Sequence, residues 1–267
     1  MMKCAQIMTM IEQLAPKKMA ESWDNPGLLV GSPQQEVQKI LVCLDVSQLV
    51  VEKAIELQVD MIIAHHPMIF KGLRQVRTDL YTGKLLQQIL QNNMAVYAAH
   101  TNLDIAVGGV NDVLAEKIGL TSVTKFVPVE GFPEESMGRI GYLPQPMDLG
   151  EFGQQVKTGL TADYVRIVRG NDKPIKKVAL CSGSGADFIP KAAFKGADVL
   201  VTGDLKYHEA QRARELGLNV IDGGHFATEF PMVTVLADYL QQAIEKAGGQ
   251  VEVMEDKWSK DYFEVLI

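Results

Sequence analysis

Met61-Ile62-Ile63-Ala64-His65-His66-Pro67 runs four apolar residues straight into two adjacent histidines and then a proline. A short apolar run closed by a breaker is the pattern of a fully buried strand. The two imidazoles then stand at its carboxyl end, where open α/β sheets bind ligands. Neighbouring strand residues point to opposite faces. For both rings to serve one site, the chain must leave strand geometry at His65-His66, and Pro67 favours this because it cannot pair in the ladder.

Working outward, Lys39 to Asp45 is a second buried-strand pattern. Ser47 to Leu57 has helical spacing, with Ser47 as N-cap. With the Met61 strand this makes a βαβ unit, parallel and right-handed, so Asp45 reaches the same sheet end as His65. A helix over Leu80 to Asn92 and a strand over Met94 to Ala99 follow, delivering His100-Thr101-Asn102-Leu103-Asp104. Upstream, residues 2 to 14 read as a helix and Leu28 to Gly31 as a short strand. Trp23, in the turn-rich loop between them, is expected to pack beneath that loop. Downstream, Gly108-Gly109 leads into a helix closed by Gly119. From Thr121 to Arg169 there are short strands, a helix over Leu149 to Leu160 and no histidine, the pattern of a second, smaller unit or a cover.

A new βα series begins at Ile175 to Cys181 and its loop Ser182-Gly183-Ser184-Gly185. That loop could cradle a phosphate on its amides, or be an ordinary glycine-rich turn. The strand Asp198 to Thr202 delivers Gly203-Asp204 and His208, and Leu218 to Ile221 delivers Gly224-His225 and Thr228-Glu229. A long helix and a terminal strand pair, Val251 to Met254 with Phe263 to Ile267, close the chain.

At 267 residues the chain can bury a large core in one or two domains, and 47% apolar with 22% charged residues excludes disorder. The net charge of -7 argues against a nucleic-acid backbone as main partner, without excluding a local basic patch. Cys4, Cys43 and Cys181 form neither a disulfide framework nor a zinc-finger spacing, which suits a reducing cytoplasm. Neither a signal peptide nor a membrane-spanning stretch is visible, so a cytoplasmic location is expected. The twelve methionines read as core filler.

All five histidines, His65, His66, His100, His208 and His225, fall just after strand patterns, which points to a site. His225 and Glu229 are one helical turn apart, and Asp104 lies four past His100. His65, His66, Asp104, His225 and Glu229 exceed what one tetrahedral zinc with an open position needs. They suit two ions about 3.5–4 Å apart that share a carboxylate and lower the pKa of a bridging water. Without thiolates, Zn, Mn, Fe, Co and Ni all qualify. His100 and His208 are candidates for catalytic proton transfer or substrate contact, with helix packing the alternative for His208. Asp45 could orient a histidine or bind loop amides. Asp204 and His208, also four apart, could simply pair with each other.

The ordered set His65-His66-Pro67, His100-Thr101-Asn102-Leu103-Asp104, Thr202-Gly203-Asp204 with His208, and Gly224-His225 with Thr228-Glu229 resembles the GTP cyclohydrolase I type 2 homologs, the NGG-one-interacting-factor-three family. Trp23-Asp24-Asn25-Pro26-Gly27 matches as well, and the resemblance spans nearly the whole chain. It implies two interlinked α/β domains with mixed sheets flanked by helices. One is residues 1–124 with 222–267, carrying the metal site, and the other is 125–221. It also implies a dinuclear centre on His65, His66, Asp104, His225 and Glu229, and a homohexameric ring built as a trimer of dimers. The extra middle domain of some relatives is lacking. Three readings follow: a metal-dependent hydrolase that opens the guanine ring of a nucleotide, a metal- or partner-binding ring without turnover, and a dinuclear nucleotide phosphatase or pyrophosphatase. Lys71, Arg74 and Lys206 are the basic residues nearest the metal motifs.

Overall fold

The computed structural model describes residues 1–266, the side chain of Pro133 excepted. The chain divides into two compact units, residues 1–106 with 232–259 and residues 107–231 with 260–267. His225 and Glu229 fall within the second of these units.

In chain order the first segment of unit 1 holds β1 (Met2–Lys3), α1 (Cys4–Leu14), β2 (Gly27–Val30), β3 (Glu36–Val37), β4 (Lys39–Cys43), α2 (Gln48–Glu56), β5 (Met61–Ala64), α3 (Tyr81–Gln91), β6 (Ala95–Ala98) and α4 (Thr101–Ile105). Unit 2 holds α5 (Val110–Lys117), β7 (Thr121–Val129), β8 (Phe132–Met147), α6 (Leu149–Gly159), β9 (Arg166–Val168), β10 (Ile175–Leu180), α7 (Ile189–Phe194), β11 (Val199–Thr202), α8 (Tyr207–Glu215), β12 (Asn219–Asp222) and α9 (His225–Glu229). The helix α10 (Pro231–Lys246) leads back into unit 1, which β13 (Glu252–Glu255) completes.

The unit 1 sheet runs β13-β4-β5-β6-β2, with the first four strands parallel and β2 antiparallel at the edge. Leu41, Cys43, Ile62, Ala64 and Val96 pack on Val50, Val51 and Ala54 of α2 and on Leu85, Leu86 and Ile89 of α3. The alternate residues Ile40, Val42, Met61, Ile63, Ala95 and Tyr97 are fully buried too. Both faces are therefore covered, which is why these strands read as unbroken apolar runs. Ser47 caps α2, its hydroxyl accepting from Val50 N at 3.2 Å.

The unit 2 sheet runs β7-β8-β10-β11-β12-β9, with β10, β11 and β12 parallel and antiparallel strands on either side. One face buries Val178, Leu180, Val199, Val201 and Ile221 with Leu114, Phe152 and Val156. The other buries Ala179, Leu200 and Val220 with Ile189, Ala192 and Ala213. The Thr121 to Arg169 segment is thus no separate cover. Its hairpin β7–β8 and its strand β9 are the two flanks of this sheet. Phe263 to Leu266 forms no strand, and Ile267 lies outside the described residues.

Candidate metal centre

In unit 1 the parallel register sets the strand ends side by side, Cys43 opposite Ala64 and Ala64 opposite Ala98. The residues that follow, Asp45, His65-His66 and His100, therefore emerge at one edge of the sheet. His65 is buried, and its Nδ1 donates to the Ala99 carbonyl at 2.8 Å. A carbonyl only accepts, so this nitrogen carries the proton and Nε2 is left as the basic atom. That Nε2 lies 3.6 Å from Oδ1 of the buried Asp104 on α4. His66 Nδ1 bonds to Asp45 Oδ1 at 2.8 Å, and His100 Nδ1 to Asp24 Oδ1 at 2.8 Å. All three imidazoles therefore have Nδ1 tied to an acceptor, the arrangement that orients a ring and raises the basicity of Nε2 toward a metal. Their ring centroids are 5.0 to 5.6 Å apart, and one ligand atom of each lies within 4.8 Å of the others'.

Asp24 was not legible as a site residue. It sits in the loop before β2, 76 positions from its partner His100. Its side chain is fully buried and also accepts from Thr101 N at 3.0 Å. Burial pushes this carboxyl up, but the bonds from His100 and Thr101 outweigh it and hold the pKa at about 2. Trp23, expected beneath the loop, is 58% exposed, because Asp24 and Asn25 make the inward anchoring bonds.

In unit 2, Gly224 takes a positive φ of 84° and turns the chain into α9, which opens on His225. One helical turn later Glu229 is buried, and His225 Nε2 lies 3.0 Å from its Oε2. His225 Nδ1 bonds to Asp204 Oδ2 at 2.7 Å, so Asp204 pairs with His225 and not with His208. Burial pulls this imidazole down, yet Glu229 and then Asp204 raise it to about 9. The Gly183 loop has another role than a phosphate cradle. Gly183 N donates to Thr228 Oγ1 at 3.0 Å, Gly185 N to Thr202 Oγ1 at 2.9 Å, and Ser182 N to Asn111 Oδ1 at 2.9 Å. These amides brace the loop against α9, β11 and α5. A Cβ on Gly183, at φ +57°, would stand 2.1 Å from Glu229 Oε1. His208 lies exposed on α8 with Nδ1 3.3 Å from Gln211 Oε1, and joins none of these groups.

The residues fit a divalent ion on their chemistry. Each unit offers imidazole nitrogen beside a buried carboxylate, with no thiolate in either group, which is a borderline-to-hard donor set. No helix among the described residues is long and apolar enough to cross a membrane.

Parallel βα units that gather imidazole and carboxylate donors beyond their strand ends define an α/β protein with a candidate metal site. The chain belongs to the family described as Duf34/NIF3 (NGG1p interacting factor 3), which matches residues 2–261. A Clostridium perfringens protein described as a GTP cyclohydrolase 1 type 2 homolog is 34% identical, over 99% of this chain and 100% of that protein. Its Clostridium acetobutylicum counterpart, with the same description, is 36% identical over 95% of each. A Bacillus cereus protein described as related to NIF3 superposes with a TM-score of 0.94 at 29% identity, over 99% of each chain. Reduced HcgD from Methanocaldococcus jannaschii gives 0.82 at 30% identity, over 96% of this chain and 98% of that one.

Proposed function

We propose that this protein holds two divalent ions on His65, His66, Asp104, His225 and Glu229 and uses them to hydrolyse a nucleotide, by GTP cyclohydrolase-like opening of the guanine ring. One observation carries this reading: each histidine among the five has its Nδ1 fastened to a carboxylate or carbonyl, which aims Nε2 as a ligand. A pair of such ions, when bound, supplies Lewis acidity and a water of lowered pKa. The chain's own part is to orient and to move protons. Asp45 and Asp204 fix the planes of His66 and His225. His100, with Nδ1 held by Asp24, keeps Nε2 for taking or giving a proton at the substrate. His208 is given no part. The clostridial relatives, described as GTP cyclohydrolase 1 type 2 homologs, suggest the substrate class. Self-assembly into a homohexameric ring, a trimer of dimers, belongs to the same proposal and is checked by light scattering.

The test is mass spectrometry of GTP incubated with metal-reconstituted protein, beside Glu229→Gln. Conversion to a ring-opened formyl or deformylated product by wild type alone is the expected result. Release of phosphate with the base intact would move the reading to a phosphatase. Unchanged GTP with two tightly bound ions would leave a metal-binding protein without this turnover.

A further inference from the structure

We propose that Trp23 and Phe70 form a stacking site for the purine base of a nucleotide, beside the imidazoles of unit 1. This rests on the nucleotide reading above and adds how the base is held. The two rings are among the most exposed aromatic surfaces of unit 1, Trp23 at 58% and Phe70 at 43%. Their centroids are 5.9 Å apart with planes tilted by 51°. Both are nearly edge-on to His100, Trp23 at 6.2 Å and Phe70 at 6.3 Å. An exposed corner of two aromatic rings thus stands directly against a candidate catalytic imidazole.

The corner is built rather than frayed. Asp24 buries its carboxylate against His100 and Thr101, and Glu21 N donates to Thr101 Oγ1 at 3.0 Å. Asn25 Nδ2 donates to the Ile69 carbonyl at 2.6 Å, tying the Trp23 loop to the residue before Phe70. Trp23 and Phe70, 47 positions apart, are thereby tied to each other and to His100 through their loops, with both rings left exposed. Leaving both rings largely outward forgoes part of the stabilisation that their burial would bring the fold. Rigid aromatics kept outward lose little entropy on binding and offer a π-face to any flat ring. A fused two-ring base can lie on one ring while its edge meets the other. Lys71 and Arg74 follow Phe70 on the exposed side of the same segment, where phosphates would be attracted.

The chain has two tryptophans, and Trp258 packs half-buried on the unit 1 core. In full-length metal-reconstituted Trp258→Phe protein, the emission therefore reports Trp23 alone. Guanosine monophosphate should quench it saturably, inorganic triphosphate should not, and Phe70→Ala should weaken binding about tenfold, within the range for loss of one base–aromatic stack. Phe70→Leu keeps the apolar bulk but removes the ring face, and should weaken binding similarly even if the alanine disturbs the loop. Absence of saturable quenching, or an affinity indifferent to both Phe70 variants, would overturn the site. So would emission that ignores the nucleotide and changes only on dilution, which would assign the rings to contact between copies. GTP turnover without quenching would remove the stacking site and leave the hydrolase reading. Quenching without turnover would do the reverse.

Discussion

Three carboxylates, Asp24, Asp45 and Asp204, each hold the Nδ1 of a different histidine. Asp24 is the one whose loss should be felt in stability as well as in the site. Its pKa of about 2 lies below the usual carboxylate value, so its bonds stabilise the fold above about pH 4 and are lost as pH falls toward 2. The contribution is about 1–2 kcal/mol after allowing for solvent screening. Asp24→Asn should lower the unfolding free energy at pH 7, obtained by urea titration, by that amount and flatten the stability curve between pH 4 and 2, both read by circular dichroism. An unchanged acid limb would show that Asp24 does not act this way. Gly183→Ala sets a methyl 2.1 Å from the Glu229 carboxylate in a left-handed backbone position. Far-ultraviolet dichroism should stay near wild type while metal affinity, read by calorimetry, falls about tenfold or more, as for a displaced ligand partner. The histidines were legible because each follows an apolar run. Asp45 was legible too, as a residue able to orient a histidine, and it holds His66. The pairing of Asp204 with His225 and of Asp24 with His100 was not, since it depends on which strand ends become neighbours.

At the scale of elements, local chemistry was the readable part. Ser47 begins a helix-period run, and it does cap α2 through Val50 N. Ser47→Ala should cost about 1 kcal/mol, measured by urea unfolding, with the same slope as wild type. A loss below a few tenths would mean that packing of Val50, Val51 and Ala54 alone sets the helix start. The buried parallel strands were readable for a related reason: both faces are covered, so the apolar runs need no partner to be recognised. What escaped was structure defined by pairing. The two-residue β1 and β3 exist only because Met2 and Lys3 lie opposite Val37 and Glu36. The strand β8 extends to 16 residues because β7 and β10 pair along it, across prolines and glycines that read as turns. The tilt of Trp23 into solvent likewise depends on Asp24 and Asn25 finding distant partners.

At the scale of the whole molecule, unit 1 is built from two separated stretches of the chain, for β13 pairs with β4 after unit 2 has intervened. The proposed ligands are divided in the same way, three in unit 1 and two in unit 2. Folding of each unit and metal loading are therefore expected to be linked. An ion that binds only the native state stabilises it by about 2.7 kcal/mol at one hundred times its dissociation constant. For a chain of this size that corresponds to a rise of roughly 5–10 °C in the melting midpoint. Wild type titrated with manganese or zinc should show this rise by calorimetry, and chelation should reverse it. Glu229→Gln replaces a buried carboxylate among the proposed ligands, so it should keep its metal-free midpoint near wild type and lose most of the gain. If the variant gains as much as wild type, Glu229 is not a ligand, and the centre must be assigned to the imidazoles and Asp104 of unit 1. If neither gains, the donor groups of the two units do not serve divalent ions, and the orienting carboxylates must be explained as supports for proton transfer alone.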